Sequence, residues 1–195
     1  MGLREDKKQA AWQEIRGAAW RLFAERGFDA VSVEEIAGAA GVSRSTFFNY
    51  FRTKEAVVVD PAPRVVRRLD DLLAEQPVER EAWEALTAVL VGLTRADRDD
   101  MVARRRLVAD SPELQRGAHE LGEQLAAQLV AWMTTRLPHD PLGAALVVEL
   151  SLAATRTAWA AWPEDAGVDA YLALLQDCLG RARPAADGHG RPEAH

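Results

Sequence analysis

Residues 41–55 read Gly41-Val42-Ser43-Arg44-Ser45-Thr46-Phe47-Phe48-Asn49-Tyr50-Phe51-Arg52-Thr53-Lys54-Glu55, and this stretch decides the fold. Gly41 supplies a residue free to adopt a left-handed turn, and Ser43 is a good N-cap for a helix running through Phe51. Thr53 then caps a further helix that begins at Lys54. Upstream, Ser32 and Glu35 have the Ser-x-x-Glu spacing of a capping box, so a short helix starts at Ser32, turns Ile36 and Ala40 inward and ends at Gly41. Two short capped helices around a tight glycine turn make a helix-turn-helix. The helix before it, residues 7–25, carries Trp12, Ile15, Ala19, Leu22 and Phe23 at spacings of three and four and stops at Gly27, with Phe28 packing back.

Outward from this unit the same helical period continues, and no alternating strand pattern of useful length interrupts it. The fold class is all-α, of about nine helices. Asp60-Pro61-Ala62-Pro63 interrupts the fourth helix, because proline lacks the N–H and clashes with the preceding turn, and a kink or break is expected there, with Pro61 and Pro63 leaving open whether it hinges. Further helices are expected over residues 64–75, 78–95, 98–109, 112–137, 141–161 and 169–183. Proline at the first helical position behind Ser111 and behind Asp140 marks two of these starts. The segment 184–195, rich in Ala, Pro, Gly and polar residues, reads as a disordered tail.

The 195 residues carry a net charge of −6, unevenly spread. Residues 1–55 hold nine basic and eight acidic side chains, and positions 41–54 carry Arg44, Arg52 and Lys54 with no acid. A cationic patch on an otherwise acidic chain suits a reader of nucleic acid joined to a separate domain, since phosphate attraction acts over about one Debye length, roughly 8 Å. The single Cys178 has no intrachain disulfide partner, and one Cys with four His gives no zinc spacing, so neither a metal nor another cofactor is expected. No apolar run reaches the roughly 20 residues of a membrane span and the N-terminus is unlike a signal peptide, so a soluble cytoplasmic protein is expected. Paired carboxylates in an apolar setting, a nucleophile elbow and a phosphate loop are all missing from the sequence, which argues against an enzyme. A scaffold that keeps the helix-turn-helix without affinity for DNA is the other rival reading.

The stretch 41–55, together with Phe28-Asp29-Ala30-Val31-Ser32-Val33-Glu34-Glu35-Ile36-Ala37, resembles the signature of the TetR family of transcription regulators over residues 12–57. The resemblance implies a helix-turn-helix DNA-binding domain over 1–55 and a helical ligand-binding and dimerisation domain over 56–183. The implied protein is a homodimeric repressor on a palindromic double-stranded operator, released by a small-molecule effector. A recognition helix presents its N-terminal residues to base edges, here Arg44, Ser45 and Thr46. Asn49 can pair with adenine or phosphate and Tyr50 can reach the backbone, while Phe47 and Phe51 face the core. Phe48 stands where the family commonly has tyrosine; it loses a hydroxyl but keeps a ring for a thymine methyl. Ser32 and Lys54 lie at helix N-termini that the resemblance places against phosphates, with ordinary capping and solvated charge as the alternatives.

The last two long helices are the expected dimer surface, with Leu146, Leu150, Ala153 and Thr157 on the first and Tyr171, Leu174, Leu175 and Cys178 on the second. Periodicity alone leaves open whether these stripes are intramolecular core. Trp83, Met101, His119, Trp132 and Met133 are the residues best suited to wall an apolar effector pocket with one polar contact. Residues 106–114 resemble a TetR subgroup with an acyl-CoA-like ligand domain, which implies a hydrophobic or acyl-bearing effector. Arg104, Arg105 and Arg106 point about 100° apart on a helix and read as a solvated face with one buried stem.

Overall fold

A computed structural model describes residues 3–163 and 165–183. Every regular element among them is helical: α1 (Leu3–Arg26), α2 (Val33–Ala39), α3 (Arg44–Tyr50), α4 (Ala56–Val59), α5 (Pro63–Ala74), α6 (Ala82–Asp110), α7 (Pro112–Arg136), α8 (Pro141–Ala161) and α9 (Val168–Ala182). The tail expected over 184–195 lies outside the described residues.

The chain forms two compact units. The first comprises residues 1–70 and 96–125, the second residues 71–95 and 126–195. The division expected from sequence set a boundary after residue 55; by packing, the first unit also takes in α4, most of α5 and the adjoining parts of α6 and α7.

In the first unit, Trp12, Ile15, Ala19 and Phe23 of α1 are buried with Phe28, Ile36, Phe47, Phe51 and the run Ala56 to Val59. Gly27 ends α1 at φ 82° and its N–H reaches the Phe23 carbonyl at 2.9 Å, the left-handed stop expected from sequence. Gly41 does the same for α2 at φ 66°, and the Val42 N–H closes the turn on the Ala37 carbonyl at 2.9 Å. The break after α4 falls at Asp60-Pro61-Ala62, and the structure shows how it is held. A continued helix would have given the Val58 and Asp60 carbonyls backbone donors four residues on. Instead Arg104 Nε donates to the Val58 oxygen at 3.1 Å and Arg16 Nη1 to the Asp60 oxygen at 3.3 Å, so two side chains brace the expected break.

Two helix expectations need correction. Residues 78–95 and 98–109 form one helix, α6, because Arg95-Ala96-Asp97-Arg98 contains charge but no residue that opposes helix. Its start is Ala82 rather than residue 78, since the Glu81 carboxylate accepts from the N–H groups of Trp83 and Glu84 and caps it there. Arg104 is half-buried in its bond to Val58 and its ion pair with Asp97, while Arg106 is exposed.

In the second unit α8 packs on α9. Ala144, Val148, Leu152 and Ala158 are buried on α8, and Val168, Tyr171, Leu172, Leu175 and Leu179 on α9. Trp159, Trp162 and Tyr171 form a ring cluster with centroids 5.1–5.7 Å apart, and the Trp162 indole donates to the Gly167 carbonyl at 3.2 Å.

Candidate nucleic-acid interface

The short helix α3 owes its position to opposite demands on its two sides. Phe47 is fully buried against Phe51, centroids 5.7 Å apart, which fixes the helix rotation and leaves Arg44, Ser45, Phe48 and Asn49 exposed. Thr46 and Tyr50 are half-buried on the flanks. Ser43 caps the helix: its hydroxyl accepts from the Thr46 N–H at 3.0 Å and lies 2.8 Å from the Thr46 hydroxyl. The N-terminal turn of α3, the part able to meet base edges, is thereby presented outward with a guanidinium and two hydroxyls.

Arg44 is already engaged. Its Nε pairs with Glu34 of α2 at 2.9 Å, and its guanidinium lies 5.4 Å from the Phe48 ring centroid. Both charges are well exposed, so the pair contributes little to stability. Phe48 is 42% exposed despite its size. The sequence reading missed Glu34, a partner visible only once α2 and α3 are folded against each other.

Ser32 is exposed and makes the capping box in full: its hydroxyl accepts from the Glu35 N–H at 3.2 Å, and its own N–H donates to Glu35 Oε2 at 2.8 Å. Glu35 also receives Arg26 at 2.7 Å. The bond from the Ser32 backbone, then Arg26 and the Ser32 hydroxyl, hold the Glu35 carboxyl down at about 2. Lys54 is half-buried: its ammonium donates to the Phe28 and Val31 carbonyls at 3.0 and 3.2 Å and lies 4.1 Å from the centre of the Phe28 ring. It closes the loop between α1 and α2, a structural role that a reading of solvated charge does not contain. Thr53 caps through its hydroxyl, which accepts from the Ala56 N–H at 3.2 Å.

The residues expected at an effector pocket belong to both units. Met101 and His119 belong to the first unit, Met101 buried and His119 exposed; Trp83, Trp132 and Met133 belong to the second, where Trp83 and Met133 are buried. Trp132 is half-buried beneath the Arg136 guanidinium, 5.1 Å away. The expected dimer stripe divides as well. On α8, Leu146 and Leu150 are 53% and 41% exposed, and Ala153 and Thr157 are exposed beside them. On α9, Tyr171 and Leu175 are buried against their own chain, which corrects their assignment to a surface, while Leu174 and Cys178 remain half-buried.

Residues 15–60 match the model of the bacterial regulatory proteins, tetR family. The chain is 34% identical over 104 residues to the transcriptional regulator MftR of Mycobacterium tuberculosis, covering 52% of each chain. It is 32% identical over 132 residues to the HTH-type transcriptional repressor Rv1474c of the same organism, covering 63% of this chain and 64% of that one. It thus spans between half and just under two thirds of these relatives' lengths. Among solved structures, a TetR/AcrR-type transcriptional regulator of Aquifex aeolicus superposes with a TM-score of 0.56 at 21% identity, covering 88% of this chain and 98% of the other, a likeness of fold. The matched segment holds α2, α3 and the caps described above, and over it the chain is similar to the tetR family of bacterial regulatory proteins.

Proposed function

We propose that the chain is a DNA-binding transcription regulator, a repressor acting as a homodimer on a near-palindromic operator and relieved by a small-molecule effector. The observation that carries the reading is α3: a capped helix whose N-terminal turn exposes Arg44 and Ser45 while Phe47 anchors it from behind. In this reading Arg44 leaves Glu34 and takes the O6/N7 edge of a guanine, and Asn49 and Tyr50 follow one turn later on an adenine or the backbone. Thr46 and Phe48 flank that contact, and Ser32 stands at a helix start suited to phosphate. Lys54 acts in two ways, by fixing the loop and by adding charge near the backbone. A two-fold dimer spaces two such helices about one DNA turn, roughly 34 Å, and the exposed stripe Leu146, Leu150, Ala153 and Thr157 is its proposed surface. The effector is hydrophobic or acyl-bearing, a reading supported by the resemblance of residues 106–114.

Selection of bound duplexes from a random library tests this, followed by titration of the enriched sequence at two salt concentrations. The expected result is an inverted repeat with half-sites about one turn apart and affinity that falls steeply with salt. No enrichment by folded protein overturns the reading in favour of a scaffold that keeps the helix-turn-helix without affinity for DNA.

A further inference from the structure

The sequence puts no acid between positions 41 and 54, yet the folded chain brings one there. Glu34 stands in the first turn of α2, its side chain 59% exposed, and its Oε1 lies 2.9 Å from the Nε of Arg44 at the start of α3. Its neighbour Glu35 completes the capping box with Ser32 and pairs with Arg26, so the cap of α2 is whole without Glu34. What Glu34 holds instead is the exposed guanidinium on the outward turn of α3. The contrast with Lys54 is one of charge: Lys54 bonds to neutral carbonyls, whereas Arg44 meets a full negative charge.

Both ions are open to water, so the pair itself is weak. Its consequence for DNA does not depend on that strength. Duplex DNA carries one negative charge per roughly 1.7 Å of its axis, and charges within about 8 Å of each other are incompletely screened at physiological salt. A carboxylate bonded at rest to Arg44 lies within about that distance of any base edge or phosphate that the guanidinium reaches. To make such a contact Arg44 gives up an anionic acceptor, and the carboxylate it leaves stays beside a polyanion.

We propose that Glu34 is a built-in brake on DNA affinity, an autoinhibitory contact in which the α2 carboxylate competes with DNA for Arg44 and then repels the duplex that displaces it. The inference rests on the DNA-binding reading and deepens it at the same face. One exposed charge outside α3 thereby sets how tightly α3 binds on every sequence, rather than which sequence it prefers.

The full chain, its Glu34→Gln variant and a Glu79→Gln control are titrated with the duplex enriched by selection and with an unrelated duplex, each at two salt concentrations. Glu79 is exposed in the second unit, so the control makes the same change of net charge outside the unit that holds α3. Glu34→Gln is expected to bind both duplexes about threefold to tenfold tighter and with a steeper dependence on salt, while the control binds as the parent does. In the ¹⁵N-labelled free chain, the Arg44 Nε–H resonance is expected to move in Glu34→Gln. A resonance that ignores the substitution shows the pair absent at rest and overturns the proposal. An equal gain in Glu79→Gln also overturns it, by making net charge the cause. So does weaker binding confined to the enriched duplex, which would make Glu34 a reader of a base such as cytosine through its amino group. Binding by the parent with no gain in Glu34→Gln removes this inference alone, whereas binding by neither protein to either duplex brings down the DNA-binding reading and the inference with it.

Discussion

α3 and α8 both present side chains to solvent, yet they do so with opposite chemistry. The seven-residue α3 exposes three polar side chains, Arg44, Ser45 and Asn49, with Phe48 beside them, and keeps one fully buried anchor, Phe47. The 21-residue α8 exposes Leu142, Leu146 and Leu150 at successive turns and buries Ala144, Val148 and Leu152 on its other side. A helix with apolar residues on both sides is underpacked in a lone chain, and contiguous exposed leucines mark association. A polar helix held by one aromatic is instead built to be exposed and to meet a polar partner. The two helices thus differ in the type of side chain left outside.

The largest expected effect tests the anchor. Phe47→Ala removes a fully buried ring in contact with Phe51 and should cost about 3–5 kcal/mol, loosening α2 and α3 while α8 and α9 retain their protection in hydrogen exchange. Equal loss of protection in both places would show that the two units do not fold separately. Next, Leu146→Asp combined with Leu150→Asp alters side chains that are about half exposed, so the fold should survive. Sedimentation should then report a monomer, with association weakened by about 2–4 kcal/mol or more. A double variant that still sediments as the parent does would remove α8 as the dimer surface.

The same contrast explains what was legible in advance. Gly27, Gly41, Ser32 with Glu35, and Ser43 each sit where the backbone needs that residue type, so α1 to α3 can be read from local chemistry, and so can the break at Pro61 and Pro63. Contacts made by long side chains across the fold were not legible. Nothing local ties Lys54 to the Phe28 and Val31 carbonyls, 26 and 23 positions away, or Arg104 to Val58. For α9 the period located an apolar face, and only packing revealed that Tyr171 lies against Trp159 and Trp162 and that Leu175 is buried. Residues 95–98 are a different case: a gap between helices is expected there, yet Arg95-Ala96-Asp97-Arg98 holds no glycine or proline and the helix runs through it.

Of intermediate size is the effect of Arg44→Ala. Loss of a bidentate base contact should cost about 1–3 kcal/mol in affinity for the selected operator and relax preference at one base pair. Folding stability should hardly change, because the ion pair with Glu34 is exposed. An equal loss on all sequences would make Arg44 a phosphate contact and move base reading to Asn49.

The smallest effect concerns the cap beneath α3's neighbour. In the folded chain Glu35 titrates at about 2, held down by the Ser32 backbone, Arg26 and the Ser32 hydroxyl, against an ordinary value of 4.5. A depressed carboxyl contributes stability that is fully present above the unfolded value and disappears as pH falls through the folded one. The capping box should therefore weaken between about pH 4.5 and 2, and Glu35→Gln, which cannot ionise, should flatten that part of the stability curve while altering neutral-pH stability only slightly. Glutamine keeps the reciprocal cap and loses the charge, so a large loss at pH 7 would mean that the ion pair with Arg26, rather than the cap, holds α2 in register. Because α2 carries Glu34, the resting partner of Arg44, that outcome would also tie the pose of the reading side chain to a bond outside α3.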